Sequence, residues 1–217
     1  MSKNLNLTHA HLRRDYASDG LLEKQMKATP MQQFKIWFQN AVEARVSDAN
    51  AFVLATVDSQ TRPAARVLLM KGFNSKGITF FTNYGSAKGT QIKKHPFGEA
   101  VFFWAGLNRQ VRLQGSLKKL SRNVSSAYFR SRPLLAQIAA SASHQSRPIT
   151  GRMQLEQEFE LLKAKYQKKA PQMPAEWGGY QLEVYKAEFW QGRPSRLHDR
   201  ICYQATAGRW KKVRLQP

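Results

Sequence analysis

Near the end of the chain, Phe189-Trp190-Gln191-Gly192-Arg193-Pro194-Ser195-Arg196-Leu197-His198-Asp199-Arg200 crowds an indole, an imidazole and three guanidinium groups together. In an extended segment Arg196, His198 and Arg200 point the same way, because side chains alternate with a period of two. A guanidinium fork, an imidazole and an indole on one surface suit a planar, anionic, heteroaromatic ligand. An arginine-rich surface turn accounts for the same residues, and the segment alone does not separate the two.

Four more segments carry groups of the right kind. In Arg66-Val67-Leu68-Leu69-Met70-Lys71 an apolar strand is flanked by two cations. Five positions separate them, so an ideal pleat sets them on opposite faces. In Thr82-Asn83-Tyr84-Gly85-Ser86-Ala87-Lys88 a strand ends, glycine turns the chain and serine caps a helix. Free amides at a helix start favour phosphate, and Lys88 adds a full charge. Tyr128 and Arg132 stand four apart, on one helix face, where phenol and guanidinium clamp a phosphate. Ser143-His144-Gln145-Ser146-Arg147 is a polar loop whose Gln145 and Ser146 offer hydrogen bonds. Each segment also has an ordinary structural reading. The glycine pattern is not that of a P-loop or a dinucleotide fingerprint. His9, His11, His95, His144 and His198 lack metal-ligand spacing, so no metal is expected. No Gly-x-Ser-x-Gly elbow occurs.

These groups need a scaffold, and 217 residues with 42% hydrophobic content suffice for a substantial core. No apolar run reaches the roughly 20 residues of a membrane span. The polar N-terminus lacks a signal-peptide block, and a single cysteine, Cys202, excludes an intrachain disulfide. A cytoplasmic protein, away from membranes, is expected. Thirty-five Lys and Arg against 14 Asp and Glu give a net charge of +21. That balance favours phosphate-bearing ligands or polyanions, so nucleic acid stays open as a partner.

The pattern predicts a polar N-terminal arm over 1–28 and one folded domain over 29–217. Thr29-Pro30 opens a helix with Phe34, Trp37, Phe38, Ala41 and Val42 on its apolar face. Strands are expected at Ala51–Val57, Arg66–Lys71, Ile78–Thr82, Ala100–Trp104 and Gln110–Leu117, and later at Gly179–Phe189, Arg200–Gln204 and Trp210–Leu215. Helices are expected at Ala87–Lys94, after Ser121 with Val124, Ala127 and Tyr128 inward, and over 150–168. Short strands joined by tight turns, with helices interposed, describe an α+β fold built on an antiparallel barrel or sandwich.

In order and spacing these pieces resemble the pyridoxine/pyridoxamine 5′-phosphate oxidase family. The likeness rests on His11 to Tyr16, Arg66–Lys71, Phe81 to Asn83 with Gly85-Ser86, Arg109-Gln110-Val111, Tyr128-Phe129 with Ser131-Arg132-Pro133, Gln145-Ser146, Trp177 to Tyr180 and the closing Trp190 to Arg200. It implies an FMN-binding split barrel acting as a homodimer, with FMN at the subunit interface. It implies oxidation of pyridoxine or pyridoxamine 5′-phosphate to pyridoxal 5′-phosphate, with O2 as acceptor and H2O2 released. By the same resemblance Arg66, Val67, Leu68, Leu69, Met70, Lys71, Phe81, Thr82, Lys88, Gln110, Gln145, Ser146, Trp190 and Arg200 surround FMN. Lys71, Tyr128 and Arg132 take the substrate phosphate. Arg196 and His198 face the substrate ring as catalytic groups, and Arg13 and Tyr16 belong to an arm over the site. The family usually has arginine where this chain has Ala87, and some relatives have serine at Ala136. Those departures keep open a relative that binds flavin or a vitamin B6 phosphate without turnover.

Overall fold

The computed structural model describes Tyr16 and residues 20–167, 169–206 and 208–217. Its frame is a nine-stranded, wholly antiparallel sheet. The strands are β1 (Ala51–Val57), β2 (Pro63–Leu69), β3 (Gly72–Phe73), β4 (Gly77–Asn83), β5 (Phe97–Trp104), β6 (Arg109–Lys119), β7 (Trp177–Gln191), β8 (Asp199–Thr206) and β9 (Arg209–Leu215). Their path runs β2-β1-β5-β6-β7-β4-β3, and the β8–β9 hairpin adds to the other half of β7. The path's two ends are adjacent in the chain, and the Lys71 N–H donates to the Thr79 carbonyl at 2.8 Å. The sheet therefore curls into a split barrel.

Alternation decides what fills it. Phe52 and Leu54 of β1, Ala100, Phe102 and Trp104 of β5, Val111 and Leu113 of β6, and Phe189 of β7 are buried in one cluster. A register shift between Gln114 and Gly115 lets the long β6 and β7 bend around the core. Helix α1 (Pro30–Glu43) plugs the barrel with Phe34 and Trp37. The Thr29 side chain accepts from the Gln32 amide, and Gln32 reciprocates, forming a capping box.

Four helices decorate the barrel: α2 (Ala87–Lys94), α3 (Arg122–Ser131), α4 (Leu134–Ala142) and α5 (Arg152–Lys165). Ser86 and Ser121 cap α2 and α3 as expected. Several expectations need correction. Val42 and Val124 are 53% and 51% exposed. The inward positions of α3 are Ser125 and Phe129, one step round from the predicted face. Helix α4 was not expected, since Pro133 and its alanines gave no polar contrast to read. Helix α5 buries no residue completely and leans on α4. Within the predicted arm, residues 20–28 are packed: Leu21 and Met26 join the core, and Arg214 ties down Glu23 and the Leu21 carbonyl. The rest of that arm, apart from Tyr16, lies outside the described residues.

Candidate active site

Two arginine- and lysine-bearing elements meet beside the barrel wall. Arg66, on β2, turns toward β1 and α2. Its guanidinium donates to the Leu54 carbonyl (3.2 Å), Thr56 Oγ1 (2.5 Å) and Gln91 Oε1 (3.0 Å). Lys88, in the first turn of α2, is only 8% exposed. Its Nζ donates to Gln145 Oε1 (2.8 Å), Ser86 Oγ (3.2 Å) and Thr82 Oγ1 (3.3 Å). Gly89 lets α2 sit this close, since a Cβ there would lie 2.1 Å from the Tyr84 carbonyl oxygen. Among the described residues neither cation is ion-paired with a carboxylate. Burial, with Arg66 nearby, pushes Lys88 down to about 8, and burial also lowers Arg66. A buried lysine and a half-buried arginine, held by neutral oxygens alone, suit an anionic ligand.

Next to this pair opens a cleft of about 560 Å³. Val67, Leu68, Leu69 and Lys71 supply one wall, Phe81 and Thr82 another, and Tyr128, Arg132 and Gln145 the rim. The Phe81, Tyr128 and Trp177 rings are stacked nearly parallel, with Phe81 and Tyr128 centroids 3.9 Å apart. Arg132 lies over Trp177 at 5.0 Å, and one of its terminal nitrogens is buried with no acceptor among the described residues. Its pKa is lowered by burial, and that of Tyr128 is raised by burial against the opposing pull of Arg132. An unsatisfied guanidinium nitrogen at a cleft wall calls for an anionic ligand atom. Gln137 fixes the turn beneath, donating to the Arg132 carbonyl at 2.8 Å.

Of the remaining predicted residues, Tyr16, Gln110, Trp190 and His198 form a second group, while Ser146 lies beside Gln91 and Arg147 at the start of α2. Gln110 pairs with Trp190 across β6 and β7. His198 packs on Trp190 with ring centroids 4.7 Å apart, and Tyr16 meets both rings edge-on at 5.4 and 5.7 Å. The Arg193 amide donates to His198 Nδ1 at 3.1 Å. The proton of neutral His198 therefore resides on Nε2. Burial, then the Arg196 charge, lowers the His198 pKa and favours that neutral form. The predicted extended row of Arg196, His198 and Arg200 does not form. Pro194–Arg196 is a tight 3-10 turn, with Ser195 and Arg196 at φ 54° and 61°. Two successive non-glycine residues in the left-handed region store strain of the sort found at ligand sites. Arg200 instead forks onto Glu188, with both contacts at 3.0 Å.

The two groups stand at opposite ends of β7. Trp177 pairs with Asn83 at one end, and Trp190 with Gln110 at the other. About 40 Å of strand path separates them. Met70 joins neither group, since its side chain is buried in the core. Arg13 lies outside the described residues. Sequence reasoning missed Gln91 and Thr56, which hold Arg66, and Glu188, which holds Arg200. It also missed Ala139, Ala140 and Ser143, which line the cleft from the unexpected α4 and its end. Gln91 had a readable signal: it stands four residues after Ala87 on the predicted helix.

Residues 38–166 match the family model described as pyridoxamine 5′-phosphate oxidase. Residues 177–217 match the pyridoxine 5′-phosphate oxidase C-terminal dimerisation region. The pyridoxine/pyridoxamine 5′-phosphate oxidase of Cyanothece sp. is 44% identical over 98% of this chain and 100% of that protein. The same-named protein of Pseudomonas putida is 48% identical over 96% of this chain and 98% of its own length. Among solved structures, PhzG from Burkholderia lata, in complex with tetrahydrophenazine-1-carboxylic acid, superposes with a TM-score of 0.87. It is 28% identical, over 92% of this chain and 98% of that one.

Proposed function

The chain belongs to the pyridoxamine 5′-phosphate oxidase family, and from that premise we propose that it oxidises pyridoxine 5′-phosphate or pyridoxamine 5′-phosphate to pyridoxal 5′-phosphate. O2 is reduced to H2O2; with the amine, water enters and ammonia leaves. The cofactor is FMN, which supplies the two-electron acceptor. The observation that carries this reading is a pair of distinct anion seats around one cleft. Lys88 is buried and Arg66 half-buried, and neither has a carboxylate partner among the described residues. Lys71, Tyr128 and Arg132 line the cleft beside them. Cofactor and substrate each carry one phosphate, and two seats meet that need.

Arg66, Lys88, Gln145 and Ser146 are assigned to the FMN phosphate side, with Phe81 and Thr82 against the flavin. Lys71, Tyr128 and Arg132 hold the substrate phosphate, which fixes the ring's position before any bond changes. Arg196 orients the substrate and balances charge at the carbon being oxidised. Neutral His198 offers Nε2–H as a hydrogen-bond donor at that edge. Tyr16, edge-on to Trp190 and His198, is assigned to the same edge of the site.

Because one chain keeps these groups at opposite ends of β7, we assign the complete site to a homodimer. One copy supplies the phosphate seats, and its partner supplies Gln110, Trp190, Arg196, His198 and Arg200. An apolar sheet face supports this reading. Val67 is 66% exposed and Phe103 58%, and both project outward with Val53 and Leu69. The lone buried Cys202 suits a cytoplasmic protein.

The test is direct. Purified protein should carry or take up FMN and release peroxide with pyridoxine 5′-phosphate. Tetrahydrophenazine-1-carboxylic acid, the ligand in the PhzG complex, is the competing ligand to compare. Flavin binding with no peroxide from either B6 phosphate would overturn the assigned reaction.

A further inference from the structure

A second cavity, of about 400 Å³, lies beside the Arg66–Lys88 pair. Helix α2 presents Ala87, Thr90, Gln91 and Lys94 to it, and the turn after α4 adds Ser146 and Arg147. The α2 positions fall at i, i+3, i+4 and i+7, one continuous helix face. Lys93 falls off that face. The cavity adjoins Arg66 and Lys88 through the residues that hold them. Gln91 accepts from Arg66 at 3.0 Å, and Ser146 follows Gln145, which accepts from Lys88 at 2.8 Å. Ala87 is small and exposed, so it leaves the mouth of the cavity open.

Two cations at this mouth have no carboxylate partner among the described residues. Lys94 donates only to the Ser59 carbonyl, at 3.3 Å. Arg147 is exposed, on a turn closed by its own amide to the His144 carbonyl at 3.0 Å. The acid on the far wall, Asp58, is held in its own turn, where Oδ1 accepts from the Gln60 and Arg62 amides at 2.8 and 2.9 Å, and one acid stands against the two cations. A dianionic phosphate reaching out from Arg66 and Lys88 would therefore meet Lys94 and Arg147 next.

We propose that Lys94 and Arg147 form an outer clamp on the terminal phosphate of the flavin, taking over from position 87 the charge that Ala87 does not provide. The inference rests on the FMN reading above. Its test is flavin binding to apoprotein, followed by quenching of flavin fluorescence, with riboflavin as the phosphate-free control. The K94A/R147A double variant should raise the FMN Kd about tenfold, most strongly at low salt, and change the riboflavin Kd less than twofold. Adding A87R to the double variant should restore most of the lost FMN affinity. An unchanged FMN Kd in the double variant, with FMN still preferred over riboflavin, would overturn the clamp and leave the FMN reading intact. A parent chain that binds neither flavin would overturn both.

Discussion

Single side chains set the electrostatics of this site. Lys88 is held near 8 rather than the ordinary lysine value of 10.5 because burial penalises its charge and Arg66 repels it. Between those values the unfolded chain holds the proton and the folded chain does not. Stability from this group therefore rises with pH across that window, and below it the buried charge opposes folding. A bound phosphate reverses the penalty. FMN affinity of the apoprotein should accordingly fall as pH is raised from 7 to 9, and a Lys88→Met variant should bind more weakly without that slope. A parent titration that is flat across this range would remove Lys88 from the seat. Arg132→Ala should raise KM for pyridoxine 5′-phosphate about 10- to 100-fold, the usual worth of a charge-assisted contact. Arg196→Ala should cut turnover about 100-fold while FMN stays bound; unchanged turnover would refute its role. Residue types were the most legible layer of the sequence. Arg66 and Lys88 are legible as candidate anion ligands, each with an ordinary structural alternative, but only the fold shows that Gln145 bonds to Lys88. The Arg200–Glu188 ion pair is not legible in the sequence, because Glu188 is twelve positions away and β7–β8 pairing brings it diagonally beside Arg200, which itself faces Trp190.

At the scale of elements, the barrel places β2 and β4 on either side of the cleft, and α2 is locked against Tyr84 by Gly89. Gly89→Ala should drive α2 off the barrel and loosen FMN binding together with Tm, because the obstruction is backbone. Phe34→Ala in the α1 plug should cost about 3–5 kcal/mol of stability in denaturant unfolding, since Phe34 is fully buried among aromatic rings. A loss below 1 kcal/mol would mean that α1 is not part of the core. Most of these elements could be read from alternation and caps: Thr29, Ser86 and Ser121 all cap helices, and the long strands sit where apolar runs fall. Failures came where the local signal was ambiguous. An alanine-rich segment has no polar face to betray a helix, so α4 went unread. The α3 face was misjudged because Ser125 is buried while Val124 is exposed. The Ser125 hydroxyl accepts from the Gly179 amide, a contact 54 residues away that no local pattern encodes.

The whole molecule adds what neither scale contains. A net charge of +21 draws in small anions from a distance, so substrate association should slow with added salt even where the site is intact. The separation of the two groups along β7 is invisible in the sequence, where Gln110 falls between Lys88 and Tyr128 although it sits with Trp190. Only the sheet order separates Lys88 from the Trp190 end of β7, which is why the proposal gives Lys88 and Arg196 of one chain to different sites. Subunit mixing tests this assignment, and with it the reaction, in one assay. An R66A/K88M double variant and an R196A variant are each combined alone and then exchanged with one another, and peroxide release from pyridoxine 5′-phosphate is measured with FMN present. Half of the random dimers are hybrids carrying one intact site, so the mixture should recover about one quarter of parent activity. A mixture no more active than the separate variants, from a parent that is itself active, would contradict a site shared between two copies.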